Sequence, residues 1–268
     1  MKQSTKRLPE RNLGDLLNET FVVYGRSFRN IVILLAVIQV PVSVVAQLLG
    51  ESIPSLVIVG IVSAMGNGLV YGAVAYATGQ SYFDNGRSVK RCYQRVGLRL
   101  LSILLLSLVP SAVLGAILGL AGIESDLKAF LIFPALGLLI YLIYWSIAVP
   151  SIIFEGHKAV EALKRSYILI KGHWWRVFGI NMVFGLVALG LVIIVSIPFA
   201  IASRIAMGEG EEANLASTTM EFLAAAATSV LVLPVIFIAG TLLYYDLRVR
   251  KEGFNTDRLS QEMGIVQV

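Results

Sequence analysis

The sequence predicts an all-α, polytopic integral membrane protein. Six transmembrane helices are joined by amphipathic interfacial helices on one side, arranged as three repeated helical units. Three observations carry this reading. Hydrophobic residues make up 57 % of the 268, while charged residues are only 15 %, against about 25 % in soluble globular proteins. The charges are segregated: the runs 30–50, 52–83, 100–123, 129–154, 177–203 and 222–245 contain no Asp, Glu, Lys, Arg or His. Each run meets the roughly 20 residues needed to cross a ~30 Å hydrocarbon core. Lys and Arg also alternate from one connecting segment to the next, 20 on one set and 2 on the other.

The elements follow in order within a single membrane domain, 1–268. An interfacial helix is expected at 12–29, where Leu13, Leu17, Phe21, Tyr24 and Phe28 form one apolar stripe. Spans follow at about 30–50, 53–79, 100–122, 129–153, 177–202 and 222–245, with a tail at 246–268. A shorter stripe, Val89, Tyr93, Val96 and Leu100, precedes the third span. Ala159, Leu163, Tyr167, Ile170 and Trp174 precede the fifth with the spacing of the first stripe. An arginine follows near each membrane boundary: Arg29, Arg99 and Arg176. The predicted unit is therefore an interfacial helix, a span in and a span back, three times over.

Within the spans, Pro41, Pro110, Pro134, Pro150, Pro198 and Pro234 free backbone carbonyls that neighbours must satisfy. Ala64, Gly68 and Gly72, then Ser111, Gly115 and Gly119, have the small-residue spacing that lets membrane helices approach closely. Ionisable residues are absent at depth, which disfavours proton- or sodium-coupled transport. Asn67, between Gly66 and Gly68, is the candidate intramembrane polar site, read first as an interhelical hydrogen bond.

By the positive-inside rule the basic segments and both termini are cytoplasmic. Glu51, Glu124, Asp126, Glu209, Glu211, Glu212 and Glu221 fall on the other side. The basic 29-residue leader reads as folded rather than as a cleavable signal. A net charge of +5 distributed in this way attracts anionic lipid headgroups, on the order of 1 kcal/mol per basic residue. Nucleic acid is not needed to explain it.

Catalytic patterns are missing. His157 and His173 match no metal-ligand spacing, and no phosphate-binding loop, nucleophile elbow or dinucleotide fingerprint occurs. No cofactor or metal is expected. The acidic string at 208–212 reads as a solvated turn. Cys92, the single cysteine, reads as a buried thiol.

Two strings go beyond composition: Ala162-Leu163-Lys164-Arg165-Ser166-Tyr167 running on to Lys171-Gly172-His173-Trp174-Trp175-Arg176, and Leu242-Leu243-Tyr244-Tyr245-Asp246-Leu247-Arg248-Val249-Arg250-Lys251-Glu252-Gly253-Phe254. Together with Leu13-Gly14-Asp15 they resemble the bacterial glycerophosphoryl diester phosphodiesterase membrane domain family. The resemblance implies a bacterial cytoplasmic membrane location and the membrane region only. A phosphodiesterase barrel needs roughly 250 residues, and 23 follow the last run. Phosphodiesterase activity is therefore not expected. Read physically, Tyr244 and Tyr245 fit an interfacial aromatic belt. Asp246–Arg250 and Arg248–Glu252 are i,i+4 pairs, and Gly253 fits a C-terminal cap.

The expected function is thus a non-catalytic membrane module. It would bind anionic lipid, a protein partner or a second copy through Arg165, Lys171, Trp174, Trp175, Arg176, Tyr245, Asp246, Arg248 and Arg250. The alternative is an uncoupled permease or lipid-translocating protein with a cavity near Asn67. An enzyme would require His157, Glu161, His173 and Asp246 to converge.

Overall fold

The computed structural model describes residues 10–49, 53–83, 89–121, 131–206 and 211–264. Glu51, Glu124, Asp126, Lys128 and Glu209 lie outside this set. Among the described residues there are nine helices and no strand: α1 (Leu13–Leu49), α2 (Ile53–Gln80), α3 (Val89–Gly97), α4 (Leu100–Ala121), α5 (Ile132–Phe154), α6 (Ala159–Ile170), α7 (Trp174–Ala206), α8 (Glu211–Glu252) and α9 (Thr256–Met263). Helices α1, α2, α5, α7 and α8 are each long and apolar enough to cross a membrane. The α3–α4 pair, bent by 76°, brings the number to six where it is counted as one span. The chain is an all-α polytopic membrane protein.

Polar contacts place the basic segments at one end of the bundle. Arg11, just before α1, hydrogen-bonds Tyr82 beyond α2 and Asp246 near the end of α8. Arg176 at the start of α7 also reaches Asp246, and Arg165 of α6 reaches Glu155 beyond α5. Arg95 of α3 donates to the Ile153 carbonyl of α5. Spans therefore alternate in direction, and the charged caps converge.

Two boundaries differ from the sequence reading. The interfacial segment 12–29 and the first span are one helix, α1, of 37 residues, about 55 Å long at ~1.5 Å per residue. Gly25 precedes Arg29 by the same interval as Gly172 precedes Arg176, yet α1 runs through it. The break after α6 has its own stabiliser: Lys251 donates to the carbonyls of Ile168 and Lys171, capping the helix end. Gly172 then takes a left-handed φ of 87°, open to glycine without strain. The last span is also longer than 222–245, because α8 continues to Glu252. Gly253 ends it at φ 62°, with its N–H on the Val249 carbonyl, as its sequence position predicts.

The predicted apolar stripes are shared between the interior and the surface: Leu13, Leu17, Tyr24, Leu163 and Trp174 pack against the core. In α1 the buried line is Leu16, Thr20, Val23, Ser27 and Ile31, one or more positions removed from the stripe, and Phe21 and Phe28 are exposed. In α6 the stripe residue Ile170 is buried together with Ala162, Ser166 and Leu169, while Tyr167 is exposed. In a bilayer large apolar side chains are also solvated by lipid, and small or hydroxylated residues can make helix contacts. The buried line of each helix therefore overlaps the stripe without coinciding with it.

The close contacts fall where small residues permit them. A Cβ on Gly68 would lie 2.3 Å from Ser107 Oγ, and one on Gly72 would crowd Ile153, Ile103 and Val96 at 3.1 to 3.3 Å. The contacts of Gly115 and Gly119 lie outside the described side chains. A Cβ on Gly240 would lie 2.2 Å from Tyr71 Oη and 3.2 Å from the Ser146 carbonyl.

Tyrosines from neighbouring helices satisfy carbonyls that proline frees. Pro110 removes the donor that would reach the Leu106 carbonyl, and Tyr141 of α5 donates its hydroxyl there at 2.7 Å. Pro150 likewise frees the Ser146 carbonyl, which accepts from Tyr71 of α2. Tyr24 of α1 donates to the Leu231 carbonyl in the turn before Pro234 at 2.9 Å. These kinks are joints between helices.

Two predictions follow from this packing. Tyr141→Phe should destabilise the protein by about 1–3 kcal/mol, the cost of an unsatisfied buried acceptor. Pro110→Ala should recover much of that loss by restoring the intrahelical donor. Thermal unfolding of both single variants and the double variant in detergent checks the coupling. Gly240→Ala should lower the midpoint in the same assay, whereas Gly60→Ala, which meets nothing within 4 Å, should leave it in place.

Candidate functional site

Two connected polar clusters form the charged cap. The first is built on Asp246, which has no exposed surface. Its carboxylate accepts from the Arg11 backbone N–H at 2.7 Å, Arg176 Nη2 at 2.9 Å and Arg250 Nε at 3.0 Å. Arg176 and Arg250 both donate to the Arg11 carbonyl as well, and Arg250 reaches Glu10 at 2.7 Å. The Arg11 side chain forms an ion pair with Glu19 and bonds Tyr82 Oη at 2.8 Å. Burial pushes the Tyr82 phenol far up, so it stays protonated and donates to Glu19. The segment before α1 is thereby tied to α2, α7 and α8.

The second cluster centres on Arg248, buried in the last turns of α8. Its two terminal nitrogens each lie 2.8 Å from the Glu262 carboxylate, and Nε lies 3.3 Å from Glu252. The Phe254 ring centre is 3.8 Å from the guanidinium carbon, a cation–π contact. Tyr244 accepts from Arg248 and donates to Glu155 at 2.7 Å. Arg165 bridges Glu155 and Glu252 at 2.9 and 2.8 Å. Burial works against the Arg165 charge, but bonds to Glu252 and Glu155 outweigh it and hold the guanidinium above its ordinary range. Through Glu262 this cluster pins α9 beneath the bundle.

The sequence-predicted residues therefore divide. Asp246–Arg250 and Arg248–Glu252 are the i,i+4 pairs anticipated. Arg165, Arg176, Arg248 and Arg250 all spend donors on acceptors within the protein. Tyr244 and Tyr245 are corrected: both are fully buried. Tyr245 lies among Tyr82, Phe154 and Phe254 at ring distances of 5.4 to 5.9 Å rather than in an aromatic belt. Trp175, 78 % exposed, and Tyr167 are the exposed aromatics near the charged end. Trp174 stacks on Phe178 at 5.3 Å. Lys171 is exposed. Sequence reasoning missed Arg11, Glu19, Tyr82, Glu155 and Glu262, whose partners lie far along the chain.

Asn67 accepts from Gln39 Nε2, the interhelical bond expected. It also lines a cavity of about 210 Å³ between α2, α4, α5 and α8, with Ser107, Ser111, Trp145 and Phe237. A larger cavity of about 350 Å³, lined by Ser203, Arg204 and Glu221, lies between α7 and α8 at the opposite end. His157 bonds Ser151 at 2.9 Å and Glu161 caps the Lys158 N–H at 3.0 Å, so neither shares a partner with Asp246. Among the described residues no three His, Cys, Asp or Glu groups come together as a metal site would require. Cys92 is buried, as expected, with Gln80 Oε1 3.8 Å away.

Fold and cap together define a polytopic helical membrane protein closed at one end by ion pairs. Comparison with protein families, curated proteins and solved structures finds no match to the chain.

Breaking a buried pair from one side leaves an uncompensated charge, at a cost of about 3–5 kcal/mol. Arg248→Ala should therefore unfold the protein at a lower temperature than Lys164→Ala, an exposed control. It should also release α9, read as proteolysis near Glu262.

Proposed function

We propose that this chain is a non-catalytic integral membrane module that binds anionic lipid headgroups through its basic face. We place it in a bacterial cytoplasmic membrane, with the basic face and both termini on the cytoplasmic side. The same reading assigns it to the glycerophosphoryl diester phosphodiesterase membrane domain family, as the membrane region without hydrolytic activity. The 20-to-2 distribution of Lys and Arg supports the orientation.

One observation carries the binding assignment. Lys158, Lys164, Lys171, Tyr167 and Trp175 are exposed along α6 and the start of α7, and among the described residues no ion pair occupies the three lysines. Aromatics beside free cations suit a headgroup layer, where the ring sits at the interface and the ammonium meets phosphate. The arginines chosen from sequence serve a different part: they hold the cap together. A protein partner or a second copy would meet the same face.

A permease reading stands second, on the cavity beside Asn67. At about 210 Å³ it lies below the roughly 300–1,000 Å³ of small-molecule sites.

Native mass spectrometry from nanodiscs of phosphatidylcholine with and without phosphatidylglycerol tests the proposal. Phosphatidylglycerol should be retained preferentially, and Lys158→Ala, Lys164→Ala and Lys171→Ala combined should reduce that retention several-fold. Equal retention of both lipids by the parent protein would overturn it.

A further inference from the structure

Each returning span ends in an aromatic residue followed by an acid: Phe83-Asp84, Phe154-Glu155 and Tyr245-Asp246. Each outgoing span begins near an arginine: Arg29, Arg99 and Arg176. In the third unit the two meet, with Arg176 on Asp246 at 2.9 Å. In the second unit Arg99 reaches the corresponding place, its guanidinium lying over Gly156, where a Cβ would sit 2.5 Å from Nη2. The matching carboxylate, Glu155, is already held by Arg165 and Tyr244.

Arg99 is consequently left over. It is partly buried, its Nε is shielded from solvent, and that Nε has no hydrogen-bond partner. Among the described residues its guanidinium forms no ion pair, unlike those of Arg11, Arg165, Arg176, Arg248 and Arg250. Arg95, one turn earlier, donates to two carbonyls, of Ile153 and Glu262, which are neutral acceptors. A half-buried guanidinium needs acceptors with fork geometry, which carboxylates and phosphates provide. Among the described residues the protein supplies neither to Arg99. The 76° bend between α3 and α4 places Arg99 at the junction of the short amphipathic helix and the apolar one, where a charged residue at a span end meets the headgroup layer.

We propose that Arg99, reinforced by the charge of Arg95, binds the phosphate of an anionic phospholipid in the cytoplasmic leaflet. The lipid replaces the carboxylate that Arg165 has taken. Gly156 is the seat that lets the guanidinium lie flat. This site rests on the lipid-binding reading above and gives it a single position.

The test measures lipids retained by the full chain in native mass spectrometry, with phosphatidylglycerol, diacylglycerol and inorganic phosphate as separate probes. Phosphatidylglycerol should remain bound, and diacylglycerol, which lacks the phosphate, should not. Arg99→Ala should lower phosphatidylglycerol retention about fivefold, the worth of one interfacial basic residue. Arg99→Lys keeps the charge without the fork; it should fold and give an intermediate loss, so the test survives if the alanine variant misfolds. Unchanged retention in a folded Arg99 variant would overturn the site; loss in the Lys158, Lys164 and Lys171 variant alone would then leave the broader reading standing. If neither variant changes retention, both fail. If inorganic phosphate displaces phosphatidylglycerol and binds in an Arg99-dependent way by itself, the site takes a free anion and the lipid assignment is overturned.

Discussion

Lipid tails solvate a leucine as well as another leucine does, so apolar burial cannot set the register of spans in a bilayer. The group that sets it here is the carboxylate of Asp246. It is fully buried and gathers donors from the segment before α1, from α7 and from its own helix. Sliding any of these by one residue, ~1.5 Å, would strand a charge without its partner. A buried ion pair adds little net stability over an apolar substitute, because desolvation offsets attraction. Its contribution is to make misregistered arrangements costly. The cluster around Arg248 does the same for α5, α6 and α9.

The cap also explains where the interior lies. Buried side chains gather in the half of each span next to the charges: Ile143 to Phe154 in α5, Val70 to Gln80 in α2, Val232 to Leu247 in α8. Ile132, Phe133, Leu136, Leu139 and Ile140, in the far half of α5, are exposed to lipid. Tyrosine hydroxyls extend the polar order into the membrane by seeking the carbonyls that Pro110 and Pro150 release. Proline and tyrosine thus form a paired device, in which one creates an acceptor and the other joins it to a neighbouring helix.

Local pattern made much of this legible in the sequence, and long range hid the rest. Span number, the basic end, the Gly253 cap and the pairs Asp246–Arg250 and Arg248–Glu252 all follow from intervals of a few residues. Arg11 and Asp246 are separated by 235 positions, and nothing in either neighbourhood announces the other. The stripes were visible but their facing was not, since hydrophobic periodicity marks a boundary between two environments without naming them. In α1 and α6 the apolar face is shared: Leu17, Tyr24, Leu163 and Ile170 pack inward, while Phe21, Phe28 and Tyr167 are exposed. Tyr245 shows the same ambiguity. An aromatic at the end of a span reads as a belt residue until the helices packed around it are known.

The second and third pairs of spans differ in how their charges close. In the third, Arg176 meets Asp246 at 2.9 Å. In the second, Arg165 enters from the following unit and takes the acid, and the cap gains its bond between α5, α6 and α8. The same exchange leaves Arg99 partly buried and, among the described residues, without an ion-pair partner. Burying that guanidinium unpaired would be costly, which is the ground for the phosphate proposed as its partner. The tighter cap and the unpaired state of Arg99 therefore arise together, because Glu155 is turned to Arg165 and Tyr244 and not to Arg99.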